Sequence, residues 1–171
     1  VPSATANSTA IAAIEQADIV VISPGDLYTS LGPLLIIDGI AEALKKTKAT
    51  CVYVATLVTK RGQTTGFSVS DNASEIERFV AAPFLDYVLY NEQAPSKEIS
   101  KKYKKEGAFS VRIDKATLKK APYKSIAGNF LGKVIKKKKS DILPAVQSLV
   151  RHDPVTVAAA IIDIYERERG F

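Results

Sequence analysis

One stretch limits what this chain can fold into more than any other. Ile19-Val20-Val21-Ile22 is an unbroken apolar run of β-branched residues. It is followed by Ser23-Pro24-Gly25-Asp26-Leu27-Tyr28-Thr29-Ser30 and then by the Ala/Leu/Ile-rich segment from Leu34 to Lys46. A short strand that is apolar at every position suits a parallel sheet covered on both faces. A turn leading from such a strand into a helix lies at the carboxyl edge of the sheet, where open α/β folds bind their ligands. Backbone N–H groups at a helix start, with the helix dipole behind them, favour anions. Gly25 lets the backbone come close, through a positive φ or through the absence of a side chain. Ser23, Pro24, Gly25, Asp26, Tyr28, Thr29 and Ser30 are therefore the candidate contacts for a phosphate or nucleotide.

The alternation continues along the chain. Thr9 to Gln16 is Ala-rich and predicts a helix, and Leu34 to Lys46 predicts another, weakened in its middle by Gly39. Ala49 to Ala55 predicts the second strand and Leu85 to Tyr90 the third. Between them, Thr56 to Val69 is a polar loop, long for a strand-to-helix connection and so a candidate for function. Ser70 predicts the N-cap of the helix that runs to about Val80, with Asp71 in its first turn. Pro95 to Lys105 predicts an amphipathic helix closed by Gly107. Phe109 to Ile113 predicts a fourth strand. Asp114 to Asp141 is broken by Pro122, Gly128 and Gly132, and reads as an irregular, lysine-rich insertion in a single α/β domain or fragment spanning 1–171. Val134-Ile135 and Val146 to Arg151 are candidate short strands. Asp153 caps the last helix, with Pro154 at its first position. The fold class that follows is α/β, a mostly parallel sheet with helices on both faces.

With 46% hydrophobic and 25% charged residues, the 171-residue chain is a globular domain of ordinary size. No apolar run reaches the roughly 18–20 residues of a membrane helix, and the start carries no signal-peptide pattern. Cys51, the one cysteine, falls inside a predicted strand and reads as a buried apolar residue. These features fit a reducing cytoplasm. The chain has no Met and begins with Val, which reads as a fragment or processed piece. Charge is uneven: residues 97–139 hold fifteen Lys and Arg against three acids, a balance of +12, against −6 elsewhere. A basic half can meet nucleic acid. However, the run Lys136 to Lys139 lacks interleaved aromatics and arginines, which favours a solvated surface.

No Walker loop, complete Gly-x-Gly-x-x-Gly or Cys/His zinc set is present. His152 is the only histidine, so no Ser/His/Asp triad can be argued; it is either a base or a residue that starts the last helix. Asp71 and Asp153 are explained as helix caps. Asp26 is different, because a carboxylate in an anion-binding turn repels phosphate unless it holds a cation or a ribose hydroxyl; it is a metal or sugar ligand, or a surface cap. Thr56 and Thr59 follow the second strand. If the first two strands are neighbours, both lie beside Gly25, and Lys60 and Arg61 add positive charge there.

Six motifs in order resemble one family. Ala17-Asp18 through Ser30 resembles its "AD-x-(apolar)-GPG-S/D-LYTS" signature, and Gly39 to Leu44 its "GIAEAI" helix. Val52 to Thr59 resembles "VYVCNLMT", and Gly66 to Asp71 resembles "GYTVSD". Asp86 to Asn91 resembles "DYVIVN", and Arg151-His152-Asp153-Pro154 resembles "RHDP". The family is the CofD/YvcK-like group, which joins 2-phospho-L-lactate transferases with bacterial gluconeogenesis factors. Thr56 stands where the family has Asn, Asn72 where it has His, and Lys60-Arg61-Gly62-Gln63 where it has a Pro- and Glu-containing loop. Nothing matches the family's upstream "GGTG" turn, so the resemblance implies the C-terminal half of a larger Rossmann-like fold. It implies a nucleotide or nucleotide-sugar ligand held with the remaining half, and a likeness to the gluconeogenesis factors, with roles in carbon metabolism, cell shape and cell-wall synthesis. Asp71, Asn91 and His152 become secondary site candidates. The alternative is a transferase moving a phospholactyl-type group from a nucleotide diester to a flavin-like alcohol, with a divalent metal such as Mg at Asp26. A third reading is a lysine-rich nucleic-acid module. An uncovered sheet edge would also favour a homo-oligomer.

Overall fold

The computed structural model describes residues 4–133 and 150–170. Its centre is a four-stranded sheet in the order β1 (Ile19–Ile22), β2 (Thr50–Val54), β3 (Tyr87–Asn91), β4 (Lys124–Gly128), with every neighbouring pair parallel. In register, Val20 stands opposite Cys51, Val52 opposite Tyr87, and Leu89 opposite Ile126. The helices are α1 (Ser8–Gln16), α2 (Gly32–Leu35), α3 (Ile40–Lys46), α4 (Val69–Val80), α5 (Lys97–Lys105), α6 (Lys115–Leu118) and α7 (Pro154–Arg169). The parallel α/β sheet expected from the strand–helix alternation is the one observed, and it is of the Rossmann-like kind that the family resemblance implies.

The period of two along each strand sorts the apolar residues into two layers. Tyr53, Ala55, Val88 and Tyr90 face one way, onto Leu44 of α3, onto Ala73, Ile76 and Val80 of α4, and onto Leu118 of α6. Val52, Val54, Tyr87 and Leu89 face the other way, onto Ile164 of α7 and Phe130. Both faces of the central strands are covered, which is why β2 and β3 carry unbroken apolar sequences. Cys51 lies among these strands and is buried.

Three elements differ from the sequence reading. The helix expected over Leu34 to Lys46 is two helices, because Gly39 has φ +99° and ends one path before α3 begins. Asp38, beside it, pairs its backbone with Ala4 and Ala6. Ser68, not Ser70, caps α4. Its hydroxyl accepts the Asp71 N–H at 3.2 Å while the Asp71 carboxylate accepts the Ser68 N–H at 2.8 Å, a capping box. Ser70 lies in the first turn and donates its hydroxyl to Asp114 instead.

The fourth strand is Lys124–Gly128, inside the stretch read as irregular, and not Phe109 to Ile113. Residues 109–112 stay off the sheet and clamp the loop after β2. Thr59 N–H donates to Phe109 O at 2.7 Å, Val111 N–H to Leu57 O at 3.1 Å, and Val69 N–H to Arg112 O at 2.9 Å. Strand β4 is a half-exposed edge of Lys, Ser, Ile, Ala and Gly, so its residues carry little strand signal. Val134-Ile135, Lys136 to Lys139 and most of Val146 to Arg151 lie outside the described residues; Val150 and Arg151 belong to no strand. Among the described residues, no helix is long and apolar enough to cross a membrane.

Candidate functional site

Because β1 and β2 are parallel neighbours, the chain leaves both on the same edge of the sheet. The two exits enclose an open crevice of about 620 Å³. Pro24, Gly25 and Asp26 form one wall, Thr56 to Arg61 a second, and Tyr103, Glu106 and Ala108 a third; Val150, Arg151 and His152 close it. The expected meeting of Gly25 with Thr56, Thr59, Lys60 and Arg61 is therefore present. A cavity at the carboxyl ends of parallel strands, apolar at its base and charged at its rim, has the form of a ligand site.

The first turn is built differently from the expectation. Gly25 does not have a positive φ, and a Cβ there would stand 3.4 Å from the Leu31 side chain, ordinary contact. Leu27–Leu31 forms a single π-helical turn, leading into the four-residue α2. The Ser30 and Leu31 N–H groups both donate to Asp26 O, at 2.9 and 3.1 Å, so these amides serve the turn. The Tyr28 hydroxyl donates to Glu75 at 3.1 Å and its ring packs edge-on against Phe79, both on α4. Ser23, Thr29 and Ser30 are exposed and lie outside the crevice wall.

Asp26 pairs with Lys60 at 2.9 Å, joining the two walls. This pairing resolves the difficulty of a carboxylate in an anion site, since the ammonium neutralises it. It also bears on a metal there. Glu106 is the other carboxylate of the crevice, and among the described residues no three His, Cys, Asp or Glu side chains gather as a metal site. The donor set present among the described residues does not fit a divalent cation.

Thr56 is half-buried and donates its hydroxyl to Val58 O at 3.3 Å. Thr59 is 4% exposed, and its Oγ1 accepts the Phe109 N–H at 3.0 Å. Thr64 Oγ1 accepts the Lys60 N–H at 2.8 Å, closing the turn that displays Lys60 and Arg61. Of the secondary candidates, Asp71 is occupied as the α4 cap and in a 3.5 Å pair with Arg112. Asn91 lines a smaller neighbouring cavity of about 100 Å³ and bonds to Gln93 and Phe130. His152 does reach the crevice, with its ring Nε2 3.1 Å from Ala55 O. Burial holds its pKa below the ordinary histidine value, and the hydrogen bond to Ala55 opposes that shift. A carbonyl partner can only accept, so Nε2 carries the proton in the neutral ring.

Tyr103, Glu106 and Arg151 were not foreseen as site residues. Arg151 adjoins His152 in the same motif, a signal that was there to use. Tyr103 comes from α5 and Glu106 caps its C-terminal end, and the sequence of that helix shows amphipathicity and nothing more. The rim carries Lys60, Arg61 and Arg151 against Asp26 and Glu106. A second open crevice of about 470 Å³ lies at the opposite ends of β2 to β4, next to Cys51. Burial, with the Asp86 carboxylate adding to it, pushes the Cys51 thiol up to about 11, so it is no thiolate nucleophile at neutral pH.

The comparisons with known proteins agree with this architecture. The chain is 37% identical over 155 residues to a Thermotoga maritima protein named "Putative gluconeogenesis factor", an alignment covering 91% of this chain and 45% of that protein. It is 33% identical over 151 residues to a gluconeogenesis factor of Halalkalibacterium halodurans, covering 88% of this chain and 43% of the relative. The chain thus spans less than half the length of these relatives. The crystal structure of a UPF0052 family member from Bacillus halodurans superposes with a TM-score of 0.80 at 31% identity, covering 92% of this chain and 47% of that one. The family described as 2-phospho-L-lactate transferase CofD matches residues 1–131. With six motifs in order, a parallel sheet and this match over most of its length, the chain belongs to the CofD family.

Proposed function

We propose that this chain is the ligand-binding part of a gluconeogenesis-factor-type protein and that its crevice takes the phosphates of a nucleotide or nucleotide sugar. The observation that carries the reading is the crevice itself. A small-residue turn at Gly25 faces a loop that presents Lys60 and Arg61, with Arg151 on a third side. Each charge-assisted hydrogen bond from such a rim to phosphate contributes about 1.5–3 kcal/mol. The relatives' names support the gluconeogenesis-factor type, and nucleotide-sugar binding would join it to carbon metabolism and cell-wall building. The experiment is amide-shift mapping of the chain titrated with UDP- and GDP-linked sugars. Shifts are expected in residues 25–26, 56–61 and 150–152, and the affinity they report is expected to weaken about tenfold in Lys60→Gln/Arg61→Gln. Shifts confined to the opposite crevice near Cys51, or none with the remaining half of the protein present, would remove the reading.

The second reading is a transferase moving a phospholactyl-type group from a nucleotide diester to a flavin-like alcohol. The family description favours it. The ion pair between Asp26 and Lys60 weighs against metal-assisted transfer by these residues, and the chain spans less than half of its relatives.

A further inference from the structure

His152 reaches the crevice from a segment, Val150 to Asp153, that is neither helix nor strand. Residues 130–132 set the path of that segment. Asp153 N–H donates to Phe130 O at 2.8 Å, Gly132 N–H donates to Arg151 O at 2.8 Å, and Leu131 forms an isolated antiparallel bridge with His152. The fit is close at Gly132. A Cβ there would stand 3.0 Å from Arg151 O and 3.1 Å from the His152 carbonyl oxygen, nearer than side chains ordinarily approach backbone.

Residues 130–132 are tied to the sheet in turn. Asn91, the last residue of β3, accepts the Phe130 N–H on Oδ1 at 3.0 Å, and its Nδ2 donates to Gln93 O. With one face of the amide accepting an N–H and the other donating to a carbonyl, its orientation is determined. The Phe130 ring is buried with Val52, Val54, Leu89 and Ile164. At the far end of the chain of contacts, the His152 ring meets Ala55 O. The Ala55 N–H is itself bonded to Leu89 O of β3 at 2.8 Å. The end of β3 therefore fixes the backbone that carries His152, through Phe130, while the residue after β2 meets its ring.

We propose that Asn91 and Gly132 are positioning residues of the anion crevice: through residues 130–132 they fix where residues 151–153 cross the sheet edge, and so hold the His152 ring as its Nε2–H tautomer in the crevice wall. The proposal rests on the anion-binding reading of that crevice. Asn91 acts from outside the crevice, through Phe130. The other charged groups that line the crevice with His152 are Lys60 and Arg61 on the loop after β2, Asp26 on the loop after β1, Glu106 beyond α5, and the neighbouring Arg151.

The chain's single histidine makes the test direct, because its imidazole nitrogens give one set of long-range NMR correlations in the intact protein. At about pH 7.5 the neutral ring of the wild type is expected to show the Nε2–H pattern. Asn91→Ala and Gly132→Ala are expected to shift it toward the tautomer mixture of a free imidazole and to weaken binding of a UDP-sugar probe about tenfold. Asn91→Asp, which keeps an acceptor for the Phe130 N–H, is expected to retain the wild-type tautomer. If Asn91→Ala and Gly132→Ala both fold, judged by amide dispersion, and both keep the wild-type imidazole pattern, the proposal is overturned. If Asn91→Ala does not fold, Gly132→Ala decides, since it presses on the 151–152 backbone without touching β3. If the wild type binds no probe while the tautomer moves as expected, the positioning stands and the anion reading fails.

Discussion

Thr59 can be a ligand contact or a latch, and Thr59→Val separates the two roles. The substitution keeps the shape and removes the hydroxyl. In the structure, that hydroxyl accepts the Phe109 N–H at 3.0 Å from a side chain 4% exposed. Orphaning a buried donor costs about 1–3 kcal/mol. Phe109 is 45% exposed on its outer side, so water can reach part of that donor and the lower half of the range applies. The methyl that replaces the hydroxyl returns up to about 0.8 kcal/mol of apolar burial. The net expectation is a loss of about 1 kcal/mol, seen as about 2–4 °C in the thermal midpoint for a domain of this size. The backbone bond from Thr59 N–H to Phe109 O, at 2.7 Å, remains and keeps the loop in place. Probe affinity should therefore change by less than about threefold, under 1 kcal/mol. Thr59→Ser keeps the acceptor and should leave the Phe109 amide as protected from exchange as in the wild type, although the buried methyl it gives up costs about 0.8 kcal/mol of its own. The assay pairs a thermal melt with a UDP-sugar titration on each variant. An unchanged midpoint with affinity lost tenfold would refute the latch and make Thr59 a direct contact.

Further outcomes follow from the same coordinates. Gly39→Ala should destabilise by about 1 kcal/mol or more, because φ is +99° and a Cβ would stand 2.9 Å from Ile11 Cδ1; a chemical-denaturation midpoint equal to wild type would count against this backbone. Ser68→Ala should cost about 1–2 kcal/mol through the lost cap of α4, and hydrogen exchange should speed up first at the amides of that helix's opening turn; unaltered exchange there would contradict the capping box. Burial depresses the folded-state pKa of His152 below its ordinary 6.5. The unfolded chain then takes the proton first. This contribution to stability is fully present above about pH 6.5, declines as pH falls, and levels off below the folded pKa. The wild type should lose more stability than His152→Gln between about pH 7.5 and 5.5, and equal losses in denaturation curves would refute the assignment.

What the amino-acid sequence determines by itself is the first three strands of the sheet and the helices between them. The apolar runs within Thr50–Val54 and Tyr87–Asn91 are met by burial on two faces, and that requirement is written locally; Ile19–Ile22 carries the same signal, although Val21 stays 42% exposed. The cap at Asp153 with Pro154 is written locally too; Gly39 signals a weak point, but that the helix ends there is shown only by the structure. The placement of Gly25 beside Thr56 follows as soon as the first two strands are taken as neighbours. Tertiary structure decided the rest. Phe109 to Ile113 has the composition of a strand, yet its backbone partners are the loop residues Leu57 and Thr59. Lys124–Gly128 is a strand because β3 offers it an open edge. The hydroxyls of the first turn looked like ligand groups, but Tyr28 was drawn to Glu75 on α4, 47 residues away. His152 reaches the crevice on a segment bonded to Phe130, which Asn91 holds from 39 residues away in sequence. Periodicity and local propensity report what each residue needs from its neighbours in the chain. Which distant group meets the need depends on the sheet's order and the direction of every crossing, and these exist only once the chain has folded.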